Sequence, residues 1–288
     1  MANIFLNVSA HCSGVPITNL FNLSARVVTP VAPAVGFWGS HCARGITISR
    51  AFRLWRNSME ITSATIEFSA GRRGRDISAF ISRPIKKGRY PGALVIHGIW
   101  GLADQLKGVN ARLAREGYVA AAPDLFEWKM VSNIEEGKKI KSKFTEQKFL
   151  SNLKGTIKYL KGLNYVKPDK IGSVGFCMGG CLSLLIACHQ KISACISFYG
   201  DNPKPVAIVK SISCPLLGLY GGKDPRIPEG DIQVLKETLV KYRKNFDLVV
   251  YPEAAHSFFD ETSPNYRAGD AADAWKRTLA FFSEHLKA

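Results

Sequence analysis

Three residues of this chain suit nucleophilic chemistry: a cysteine, an aspartate and a histidine, each in a distinctive local sequence. Cys177 lies in Gly175-Phe176-Cys177-Met178-Gly179-Gly180. Residues 170–174 before it read as a strand, and the apolar run 181–187 after it reads as a buried helix. So sharp a reversal strains the backbone of the central residue and needs neighbours without Cβ atoms. It would present the sulfur at the C-terminal edge of a sheet, over the positive end of a helix, where a thiol ionises more readily. Asp224 sits in Tyr220-Gly221-Gly222-Lys223-Asp224-Pro225, directly after a strand-like run, and His256 in Ala254-Ala255-His256-Ser257-Phe258, after the last one. The division of labour fits. Imidazole moves a proton near neutral pH, and a carboxylate behind it fixes its tautomer and stabilises its cation.

The competing readings are structural. Cysteine packs well as a small core hydrophobe, and we read Cys181, Cys188, Cys195 and Cys214 that way. Asp224-Pro225 would serve a plain turn, and a lone loop histidine is commonly a surface residue. Glu229 and Asp231 compete with Asp224, but they fall in the first turn of a predicted helix, where acidic groups already complement the dipole. His189 and His285 lie in predicted helices. Chain order and placement after successive strands favour Cys177, Asp224 and His256 as a set.

These residues need a scaffold that brings strand ends together. Residues 65–68 and 77–81 alternate as a hairpin around Gly71-Arg72-Arg73-Gly74. Strands follow at 93–96, 118–122, 170–174, 192–199, 216–220 and 246–251. Helices are predicted from Asp104 to Gly117, within 125–168, after the elbow, over 228–242, and from Ser263-Pro264 to the C-terminus. Alternating strands and helices predict an α/β fold with a mostly parallel central sheet, helices on both faces and an N-terminal hairpin. The oxyanion of an acyl-transfer intermediate needs two backbone N–H donors. Met178 and Ile99 are the candidates, Ile99 in the loop His97-Gly98-Ile99-Trp100-Gly101.

The 288 residues carry a net charge of +16, yet the basic residues are dispersed, so neither composition nor motif indicates a nucleic-acid partner. No run reaches the ~18 apolar residues of a membrane span; the nearest, 27–38, is broken by Pro30 and Pro33. Seven cysteines without a paired framework suit a reducing, cytoplasmic setting. Residues 1–58 hold no Asp, Glu or Lys but five Arg. They read as a non-core extension, either a start site assigned upstream of Met59 or an organellar transit peptide, and 59–288 as a single domain.

Taken together, 175–180, 220–225, 255–258 and Ala271-Ala272-Asp273-Ala274-Trp275-Lys276-Arg277-Thr278 resemble the dienelactone hydrolase family, the carboxymethylenebutenolidases, within the α/β-hydrolases. The resemblance covers about 60–288. It implies a cysteine-dependent hydrolase acting on a small-molecule ester or lactone through a thioester, with Cys177 as nucleophile, His256 as base and Asp224 as orienting acid. It implies no metal and no organic cofactor; a monomer or weak homo-oligomer is expected. Two positions depart from the enzymes that open dienelactone. Gly98 stands where they usually carry Glu, and Phe259-Asp260 where they place a carboxylate-binding Arg. A ligand-binding protein with little turnover is therefore the alternative. His97 either replaces that Glu beside the thiol or bonds to loop backbone. His97, Trp100 and Phe258 are candidate pocket residues, with Phe126, Trp128, Tyr199 and Phe259 as further aromatics at the same sheet edge; Phe198 beside them reads better as core packing. Arg226 and Arg267 are either anion-binding or surface residues.

Overall fold

The computed structural model describes residues 59–69, 76–127, 129 and 131–288. The N-terminal extension, the hairpin turn and Trp128 lie outside them.

Eight strands form one sheet in the order β1-β2-β4-β3-β5-β6-β7-β8. They are β1 (Ile61–Ser69), β2 (Asp76–Pro84), β3 (Tyr90–Ile96), β4 (Val119–Pro123), β5 (Val166–Phe176), β6 (Ala194–Phe198), β7 (Leu216–Gly221) and β8 (Phe246–Tyr251). β1 and β2 pair antiparallel from Ile61↔Pro84 to Ser69↔Asp76, and β2 joins β4 antiparallel; every pairing beyond is parallel. The predicted architecture is the observed one.

Side-chain alternation builds two cores from single strands. In β3, Ala93 and Val95 face one cluster while Leu94 and Ile96 face the other, all four fully buried. Helices α1 (Asp104–Arg115) and α6 (Ala268–Phe282) cover the first face through Leu106, Val109, Leu113, Ala274 and Phe282. The second face is covered by α3 (Glu146–Gly162), α4 (Met178–His189) and α5 (Glu229–Lys241), through Leu153, Ile157, Leu184, Leu235 and Leu239. A short helix, α2 (Ile134–Lys141), precedes α3.

Several boundaries differ from expectation: β5 begins at Val166, inside the stretch expected to be helical, and β6 is limited to Ala194–Phe198. Within 125–168 the helical stretch divides at Thr145, whose side chain accepts a hydrogen bond from Lys148 N and so starts α3 afresh. The predicted helix start at Ser263-Pro264 is a turn, and α6 begins only at Ala268. Local side-chain bonds hold that turn: Asp260 accepts from Thr262 N, and Ser263 Oγ from Asn265 N. Asp104 is the first helical residue rather than the cap, and its carboxylate pairs with Lys107 at 2.9 Å.

Candidate active site

Cys177 joins the buried strand β5 to α4 with φ 56° and ψ −118°. That backbone is strained for a side-chain-bearing residue, and close packing over-determines it. A Cβ on Gly175 would lie 1.9 Å from Gly179 O, and one on Gly179 would lie 2.2 Å from Ile96 O. Neither carbonyl can withdraw, because each belongs to a packed strand or helix. Gly179→Ala is therefore expected to destabilise the fold by about 3 kcal/mol or more, lowering Tm by ~6–12 °C. Thermal unfolding of the variant checks this.

Asp224 and His256 reach the elbow from neighbouring loops after β7 and β8. Asp224 Oδ1 accepts from Arg226 N at 2.8 Å and Ile227 N at 3.3 Å, which fixes the carboxylate. Its Oδ2 accepts from His256 Nδ1 at 2.7 Å. Gly222 N to Tyr251 O and Lys223 N to Ala254 O stitch the two loops together. Asn265 donates to His256 O at 3.0 Å, so the turn that replaced the expected helix start supports the histidine backbone. Arg112 of α1 lies over Trp275 at 4.1 Å and Phe259 at 5.6 Å, pinning the same loop from behind.

With Nδ1–H committed to Asp224, Nε2 is the ring nitrogen left for the thiol. Nε2 is buried and lacks a well-aligned hydrogen bond, yet sulfur and imidazole are near enough to shift each other's ionisation. The contact is looser than a formed hydrogen bond, as is common before substrate binds. Burial pushes the Cys177 thiol up, but the nearby His256 imidazole and its charge, the Arg226 guanidinium and the Met178 N–H outweigh it, and the net shift is down. For His256, burial acts downward and is overcome by Asp224 and the sulfur, raising it to about 9. Both shifts favour a thiolate–imidazolium pair.

Of the two candidate oxyanion donors, the Met178 N–H acts on the sulfur and Ile99 shares its cavity. Met178 opens α4, so its N–H has no intrahelical acceptor. Ile99 follows β3, and its N–H meets no backbone carbonyl among the described residues. A cavity of about 720 Å³ opens over Cys177, lined by Ile99, Trp100, Tyr199, Arg226, His256 and Asp260, among others. Trp100 stands at its mouth, 45% exposed.

Other candidates fall elsewhere. His97 is fully buried; Nδ1 donates to Gly98 O at 2.7 Å and Nε2 accepts from Leu125 N at 2.9 Å. Both nitrogens are thus spent on loop backbone, and burial, against the opposing pull of Gly98 O and Asp124, holds its pKa below the usual value. The backbone-bonding alternative for His97 is the one found, and neither His97 nor Phe258 lines the cavity. Phe258 is sealed behind Tyr199, with ring centroids 5.6 Å apart. Phe126, Phe198 and Phe259 are core residues. Arg267 pairs with Asp270 at 2.6 Å, whereas Arg226 is exposed on the cavity wall. Sequence reasoning missed Ile134, Leu106, Pro264 and Asn265, which reach the cavity from α2, α1 and the 263–265 turn. Only tertiary packing brings those elements here. A Cβ on Gly98 would lie 3.3 Å from Cys177 Cβ, so position 98 directly abuts the thiol.

A mostly parallel sheet of this order, with a tight elbow between its central strand and a buried helix, defines the α/β-hydrolase class. Residues 77–286 match the model of the dienelactone hydrolase family, and the chain belongs to that family. A Synechocystis protein named "Putative carboxymethylenebutenolidase" is 33% identical over 228 residues, spanning 73% of this chain and 93% of the relative. A Bradyrhizobium protein named "Probable 2-oxo-3-(5-oxofuran-2-ylidene)propanoate lactonase" is 30% identical over 230 residues, spanning 75% of this chain and 92% of the relative. The crystal structure named as a putative dienelactone hydrolase from Klebsiella pneumoniae superposes with a TM-score of 0.71 at 28% identity, covering 78% of this chain and 99% of that one. The protein is a dienelactone hydrolase-like hydrolase. Among the described residues no helix is long and apolar enough to cross a membrane.

Proposed function

We propose that residues 59–288 form one hydrolase domain that cleaves a carboxylic ester or lactone through a thioester on Cys177. The observation that supports this reading is His256 Nδ1 held at 2.7 Å from Asp224 while the imidazole and the Cys177 thiol are near enough to shift each other's ionisation. The thiolate attacks the acyl carbon, and Ile99 N–H and Met178 N–H receive the charge that develops on the carbonyl oxygen. The His256 imidazolium gives its Nε2 proton to the leaving oxygen as the acyl–oxygen bond breaks. Neutral His256 then takes a proton from water, which attacks the thioester, and the thiolate departs. Asp224 keeps the tautomer correct throughout. A thiol that must stay reduced suits a cytoplasmic location.

The substrate is a small ester or lactone, as the cavity volume and the lactonase name of one relative suggest. A panel of short-chain esters and lactones on the full-length protein tests the reading, with steady-state turnover as the expected result. Stoichiometric acylation without release would instead support the ligand-binding alternative, which Gly98 and Asp260 motivate.

The ionisation of the pair predicts a bell-shaped pH dependence of kcat/KM. Falling pH protonates the thiolate, but only below the ~8.5 of a free cysteine, because the thiol is shifted down. Rising pH removes the imidazolium proton near about 9 and with it the donor to the leaving group. Iodoacetamide labelling of Cys177 should follow the acid limb. A labelling midpoint at or above ~8.5 contradicts the ion pair.

A further inference from the structure

Tyr199 is the polar residue beside Cys177 whose hydroxyl the mechanism leaves unused. It is 2% exposed, lines the cavity, and sits at φ 38°, a strained backbone for a tyrosine. Tyr199 N donates to Leu219 O at 2.8 Å, and Cys177 N donates to Phe198 O at 3.0 Å, so the strain is held by the strands on either side. Phe258 meets the ring edge-on from behind. The hydroxyl makes no hydrogen bond among the described residues, and unlike that of Tyr118 it is not sealed from the cavity. Open to the cavity and without a partner among those residues, the hydroxyl is available to donate to a group bound there.

Its place in the sheet shows which part of a substrate it meets. β5, carrying Cys177, lies between β3 and β6. The oxyanion donor Ile99 follows β3; Tyr199 follows β6, on the side of Asp224 and His256. The tyrosine and histidine ring centroids are 5.1 Å apart. The carbonyl oxygen is thereby directed to the β3 side, and the leaving oxygen to the β6 side, within reach of His256 Nε2.

We propose that Tyr199 is a catalytic hydrogen-bond donor to the leaving-group oxygen, resting on the hydrolase reading above. When the acyl–oxygen bond breaks, its electron pair moves to that oxygen, which takes the Nε2 proton of His256. Tyr199 keeps its own proton and stabilises the charge until the transfer is complete. Burial, then the charges of Cys177, Asp260 and Asp224, holds the phenol well above its usual pKa, so it acts only as a donor. The substrates that need it are esters and lactones of ordinary alcohols, whose leaving alkoxides are strongly basic; a nitrophenolate leaves without help.

The test compares Tyr199→Phe with the full-length wild type on the ethyl and nitrophenyl esters of one acid, with Cys177→Ala run beside them. Phenylalanine keeps the ring and orphans no buried partner, so Tm and iodoacetamide labelling of Cys177 are expected to hold. The expected result is a ~10- to 100-fold loss of kcat/KM on the ethyl ester and less than about threefold on the nitrophenyl ester. Equal losses on both, or none on either, with Cys177→Ala inactive, overturn this proposal alone. Continued hydrolysis by Cys177→Ala overturns the hydrolase reading and this proposal with it.

Discussion

Alanine at position 177 is expected to lower kcat on a turned-over ester by about 10⁵–10⁶-fold, leaving the fold intact. The loss should be near total because nothing near the elbow can substitute. Cys181, four residues on, is pushed up to about 12 by burial, then by the nearby Asp201. Burial likewise raises Cys195 to about 11. Neither is a thiolate at working pH, and neither is backed by a histidine–carboxylate pair. The side chain removed is small and faces the cavity, so its loss leaves no sealed void and little stability changes. Initial rates and a thermal melt on the same preparation separate the two quantities.

Asp224→Asn should cost about 10³–10⁴-fold in kcat with a nearly unchanged Tm. Asparagine can still accept from Arg226 N and Ile227 N through its amide oxygen, so the loop keeps its shape. Its NH2 group, however, faces His256 Nδ1–H, and two donors cannot pair. The imidazole is driven to the tautomer with the proton on Nε2, which cannot accept from the thiol. The sign of the accompanying shifts follows. Without the carboxylate, His256 falls from about 9 toward the ordinary histidine value, and the thiol, losing its cationic neighbour, rises. The iodoacetamide profile of the variant should therefore move to higher pH than that of wild type. An unmoved profile would mean that Asp224 does not set the charge of the pair.

The sequence displayed the elbow, the acid loop and the histidine loop plainly because each depends on local chemistry. Gly175 and Gly179 are demanded by carbonyls about 2 Å from where their Cβ atoms would lie, and Asp224-Pro225 by an Asx turn. The sheet was equally legible, since alternation such as Ala93/Leu94/Val95/Ile96 is written residue by residue. What long-range packing decides was not. His97 adjoins Gly98, the position that carries Glu in the enzymes that open dienelactone, but Leu125 N, twenty-eight residues away, claims its free nitrogen. Ser263-Pro264 has the form of a helix start, yet Asp260 and Asn265 fold it into the turn that carries His256 O. Phe198 reads as core packing and is core, but nothing in the sequence separates Tyr199 and Trp100, which line the cavity, from Phe126, Phe258 and Phe259, which do not.

The gap opposite the thiol has a physical meaning too. Position 98 abuts Cys177 Cβ, so a glutamate there would set a carboxylate against the sulfur. With glycine, the Arg226 guanidinium and His256 act on the thiol unopposed from that side. The family's chemistry is thus compatible with this site without the glutamate, provided that the ion pair forms.

The most direct measurement is mass spectrometry of the full-length protein, acid-quenched within the first turnovers of an ester it hydrolyses, followed by peptide mapping. An acyl group on the peptide bearing Cys177, lost on treatment with hydroxylamine, is the predicted result. Sustained turnover with the acyl group on another residue would contradict the account.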